Sequence, residues 1–90
     1  MTKPEPIELP IPQAALGATK AVEVVRVWIG DKEQHISVKT AWNDPAAWGL
    51  LLVDLAKNVA AAYAEAGQFT AEEALARIRE GLDAEWAEDV

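Results

Sequence analysis

Residues 22–40 read VEVVRVWIGDKEQHISVKT, and the order of residue types along that stretch decides the fold. Val22, Val24, Val25, Val27, Trp28 and Ile29 are β-branched or aromatic, which suits a strand over 22–29. Gly30-Asp31-Lys32-Glu33 follows as a turn, and from Gln34 to Trp42 Ile36, Val38 and Thr40 alternate with His35, Ser37 and Lys39. Side chains in a strand alternate between faces, so a one-residue slip would turn every side chain over. An even loop pairs Val27 with Ile36 and Val25 with Val38. Val25, Val27, Ile29, Ile36 and Val38 then share one face, and Val24, Arg26 and Trp28 stand with His35, Ser37 and Lys39 on the other.

Downstream the period changes from two to between three and four. Asp44 as cap and Pro45 at the first helical position start a helix that runs to about Ala66, where Gly67 stops it. Trp48, Leu51, Leu52, Leu55, Val59, Ala62, Tyr63 and Ala66 form its apolar stripe, and Asp54, Lys57, Asn58 and Glu65 face away. Gly49 and the run Ala60–Ala62 suggest close approach by a neighbouring element. Thr70 with Glu73 is a capping box for a second helix carrying Ala74, Leu75, Ile78, Leu82 and Trp86 on one side. Trp48 and Trp86 sit in these stripes and are expected in the core, with Trp42 covering the end of the sheet. The short link 67–69 makes the helices antiparallel neighbours. The expected fold is therefore α+β, order ββαα, with the hairpin packed on an antiparallel helix pair.

Upstream, residues 1–13 hold four prolines, which exclude a helix and favour an extended path. Ile7, Leu9 and Ile11 alternate with Glu8 and Pro10, so this arm can lie against the body and extend the hairpin as a proline-blunted edge. Residues 13–20 allow at most one helical turn. The expected division is an arm and connection over 1–20 and a single α+β domain over 21–90.

Ninety residues give a thin stability margin, since a chain of this size buries only roughly 60 to 65% of its unfolded surface. With no cysteine and one histidine, disulfide and structural zinc reinforcement are excluded, which leaves oligomerisation. The net charge is −7; residues 46–90 carry three basic against nine acidic side chains, and residues 1–45 five against six. That balance argues against nucleic-acid and anionic-membrane partners, both of which need cationic contacts. The Pro-rich start is not a secretory signal, and the apolar run Ala46–Val53 is too short to span a bilayer. A cytoplasmic protein is expected.

The strings Val25–Trp28 (VRVW) and Trp42–Gly49 (WNDPAAWG) resemble a family of small uncharacterised, mainly proteobacterial proteins, a domain of unknown function. The likeness runs from the arm to the Asp83–Trp86 end. It implies a bacterial cytosolic origin and brings no activity, ligand or catalytic residue with it.

Candidate chemistry is sparse. His35 with Asp31 and Glu33 lacks a third convergent metal ligand in a turn that points to water. Glu80, Asp83, Glu85, Glu88 and Asp89 read as solvated surface, and Ser37 has no glycine elbow to make it a nucleophile. No enzyme activity and no cofactor are expected. Arg26, Trp28 and His35 form the one candidate interface or ligand patch, an aromatic flanked by cationic and polar groups. The expected function is a small acidic interaction protein, homodimeric or bound to another protein. The alternative is a module that binds an anionic or aromatic small molecule through the same three residues.

Overall fold

The structure, a computed structural model, describes residues 4–88. Its elements are a one-turn helix α1 (Gln13–Leu16), strands β1 (Val25–Gly30) and β2 (Glu33–Val38), and helices α2 (Ala46–Ala66) and α3 (Ala71–Ala87). The fold is α+β, an antiparallel hairpin followed by two helices in the order ββαα. The chain divides between Ala41 and Trp42 into two compact units.

In the N-terminal unit the hairpin register is the expected one: Val25 pairs with Val38, Val27 with Ile36 and Trp28 with His35. The loop is two residues long because Asp31 (φ 52°) and Lys32 (φ 67°) both take the left-handed backbone that mirror-image hairpin turns require. Both strands are shorter than expected, but Lys39 N–H still donates to Val24 C=O at 2.8 Å beyond the last ladder pair. Burial departs from expectation. The face thought to be the inner one is open: Val27 is 56% and Ile29 70% exposed, and Ile36 and Val38 are exposed as well. Val24, Val25 and Trp28 are the half-buried side chains of β1 and the residue before it. Two strands have too little side-chain area to close a core of their own, so correct pairing does not bring burial with it.

The C-terminal unit is a helix pair. The Asp44 carboxylate accepts the Ala46 N–H at 2.9 Å, and Gly67 ends α2 in the left-handed conformation (φ 87°). At α3 the capping box is complete: Glu73 N–H donates to Thr70 Oγ1 at 3.1 Å, and Thr70 N–H donates to Glu73 Oε1 at 3.0 Å. Those bonds hold the Glu73 carboxyl below its usual pKa; the backbone N–H of Thr70 contributes most and its hydroxyl next. Tyr63 and Phe69 meet edge to face at 5.9 Å near the turn.

The phase of packing on α2 is the main correction. The buried residues of the pair are Ala60, 2% exposed, on α2 and Ala74, 5% exposed, on α3. Ala56 and Ala64, one turn either side of Ala60, are half-buried, so the seam is a ridge of alanines that lets the two backbones approach closely. The expected stripe exists but lies about a quarter-turn from that ridge, and Leu52, Leu55, Val59 and Tyr63 on it are exposed. Trp48 is half-buried, with Trp42 edge-on against it at 5.4 Å. Trp86, expected in the core, is 78% exposed. A methyl group added at Gly49 would meet no neighbour within 4 Å, so its small size serves no close approach.

Candidate functional site

The three residues singled out from sequence converge. β-Pairing puts Trp28 directly across from His35 and Arg26 across from Ser37, all on one face. The Arg26 guanidinium stands over the Trp28 ring, 5.9 Å from its centroid. The His35 ring nitrogen Nε2 lies 3.3 Å from the Gly30 carbonyl oxygen, a donor–acceptor pair when the ring is protonated there, which ties the imidazole back to the hairpin end.

The charge of Arg26 is already partnered. Its Nη2 lies 3.2 Å from Glu8 Oε2 and 3.0 Å from Glu23 Oε1, and its Nε donates to Glu23 Oε2 at 3.2 Å. Sequence reading missed both carboxylates. Glu23 was within reach as a third-neighbour pair, whereas Glu8 could be found only once the arm had been laid along β1. Two carboxylates on one guanidinium leave little net positive potential for an incoming anion. Between the arm and β1 runs an apolar groove of about 710 Å³, lined by Leu9, Pro10, Ile11, Leu16, Val22 and Trp28 among others. Ile7, Leu9 and Ile11 remain largely exposed along it, so the arm is a loose cover.

Among the described residues no group of three or more His, Asp or Glu side chains could hold a metal ion. None of the helices described is long and apolar enough to cross a membrane. Besides the patch, the described residues carry two broad apolar surfaces: the sheet face of Val27, Ile29, Ile36 and Val38, and the α2 stripe.

The chain belongs to the family described as a domain of unknown function (DUF5076), whose pattern matches residues 8–90. It is similar to a solved structure named "Structure of a putative pyruvate dehydrogenase from the photosynthetic bacterium Rhodopseudomonas palustrus CGA009". That structure is 39% identical, with a TM-score of 0.75, and the match covers 100% of this chain and 92% of the other. No curated protein matches the chain.

Proposed function

We propose that the chain is a small acidic interaction protein of the bacterial cytoplasm that works as a homodimer and is not an enzyme. The carrying observation is the burial: among the described residues those buried are two alanines, while apolar side chains as large as leucine, tyrosine and tryptophan stand exposed. The chain exposes 8645 Å². Two separate compact bodies, each of half its 9.7 kDa mass, would together expose about 6,200 Å². Part of the excess of roughly 2,500 Å² belongs to the extended arm, but it is about three times what each partner of a standard interface covers. A domain of this size without cysteine has few other ways to reach stability than to bury such surface against a partner.

The enzyme name attached to the similar structure is a statement about that protein. What supports the non-enzymatic reading here is the partnering of Arg26 by two carboxylates and the solvated setting of the remaining acids, with Glu73 engaged in its cap. The −7 net charge argues against nucleic acid as a partner. Gel filtration with light scattering at micromolar concentration should report about twice the 9.7 kDa chain mass. The thermal midpoint should rise with protein concentration, as mass action requires of a dimer whose protomers fold on association. A monomer with a concentration-independent midpoint would refute the reading.

A further inference from the structure

Resting on the homodimer reading, we infer that the α2 stripe of one chain packs antiparallel on the α2 stripe of a second copy about a two-fold axis. The pairing is centred between Leu55 and Val59 and joins two helix pairs into a four-helix bundle. Three observations carry this. The first is area, since the exposed excess is larger than the roughly 800 Å² that each partner of a standard interface covers. From Trp48 to Ala66 the stripe runs for about 27 Å of helix without one charged side chain, while Asp54, Lys57, Asn58 and Glu65 lie on the other side.

The second observation is shape. The bulk of the stripe is uneven along its length: Trp48, Leu51, Leu52 and Leu55 fill its N-terminal half, while in its C-terminal half the one large side chain, Tyr63, stands between the small Ala62 and Ala66. A two-fold interface brings residue i to j and j to i. The antiparallel pairing sets Trp48 opposite Ala66, Leu51 opposite Tyr63, Leu52 opposite Ala62 and Leu55 opposite Val59, so large meets small at the Trp48 and Leu52 levels and medium meets medium at the centre. A parallel pairing would stack tryptophan on tryptophan at one end and leave alanine facing alanine across a gap at the other. Antiparallel alignment also opposes the two helix dipoles favourably.

The third observation is the seam within each chain. Ala60 and Ala74 are the fully buried residues of α2 and α3, while Leu52, Leu55, Val59 and Tyr63 of the stripe stay exposed and are left for another partner. Four-helix bundles place such residues in a shared interior.

The chain has no cysteine, which permits a direct test. Val59→Cys, treated with a short bismaleimide, should give a covalent dimer in high yield, whereas Lys57→Cys on the polar side should give little. Leu55→Glu should weaken dimerisation by more than about tenfold, because a carboxylate would enter an apolar interface. Leu50→Glu, off the stripe on the same helix, should stay dimeric. If Leu55→Glu fails to fold, the cysteine pair decides alone. A wild-type dimer in which Val59→Cys does not cross-link and Leu55→Glu remains dimeric overturns the inference, and the sheet face then becomes the interface. A monomeric wild type overturns the inference together with the homodimer reading.

Discussion

The helix pair and the hairpin differ in how much of their structure is finished within one chain. In the helix pair the Asp44 carboxylate takes the Ala46 N–H, Gly67 ends α2 in the left-handed conformation, the Thr70–Glu73 box starts α3, and an alanine seam joins the two elements. Only side-chain faces remain open. In the hairpin the ladder is correct, yet the outer edge of each strand and the face of Val27, Ile29, Ile36 and Val38 are all uncovered. Local rules alone complete a helix and leave a two-stranded sheet half made, because a sheet obtains its hydrogen bonds and its burial from other segments. The chain therefore carries one nearly complete module and one whose strand edges and sheet face stand open.

The sharpest way to break that comparison is to enlarge the seam. Ala60→Leu puts three extra carbons into the tightest contact between α2 and α3 and should cost roughly 1 to 3 kcal/mol or more. Ala61→Leu, one residue on and exposed, should shift stability by less than about 0.5 kcal/mol. Urea denaturation of both variants at one protein concentration checks this. Equal midpoints would mean that the alanine ridge is not the seam and that the large stripe serves instead.

That ridge also marks where sequence reading stopped. Element order, register, the Gly67 stop and the Thr70 box were legible because each rests on a local rule: alternation, a left-handed stop, a reciprocal hydrogen bond. Which apolar face meets which neighbour was not. On α2 the larger stripe looked like the inner one by hydrophobicity, whereas close packing of the two helices favoured the small residues Ala56, Ala60 and Ala64. The same ambiguity hid the open sheet face, since alternation shows that two faces differ and says nothing of what covers either. At the candidate patch, the grouping of Arg26, Trp28 and His35 followed from register and was legible. The engagement of Arg26 by Glu8 depended on the course of a proline-rich arm, which no periodicity reports.

A smaller effect probes the completeness of the helical module. Thr70→Ala removes the cap hydroxyl and should cost about 1 kcal/mol at neutral pH. The Glu73 carboxyl has its pKa lowered in the fold, so its contribution is full above the ordinary carboxylate range and is lost as pH falls through the lowered value. The backbone N–H of residue 70 is common to both proteins, so the difference between wild type and Thr70→Ala should narrow in acid only as Glu73 loses the charge that the Thr70 hydroxyl, absent from the variant, helps to stabilise. Thermal melts of both proteins across the acid range test it, and a gap that stays constant or widens would mean that the two halves of the box act independently.

The smallest effect falls on the hairpin and should be stabilising. Lys32 holds a φ of 67° at the second position of a two-residue turn, a place where glycine sits without strain and a long side chain does not. Asp31, the other left-handed residue, is of a type that tolerates this backbone better, so the strain concentrates at Lys32. Lys32→Gly relieves it but also gives the unfolded chain more freedom, which offsets part of the gain. The net should be a stabilisation of a few tenths to about 1 kcal/mol. Because the strand edges and one face of the hairpin are open, its amides should exchange with solvent by local opening rather than by global unfolding. The variant should then slow amide exchange in β1 and β2 while leaving α2 and α3 unchanged. Equal slowing in both units would show that the hairpin opens only when the helices do, and would erase the distinction between a finished module and a dependent one.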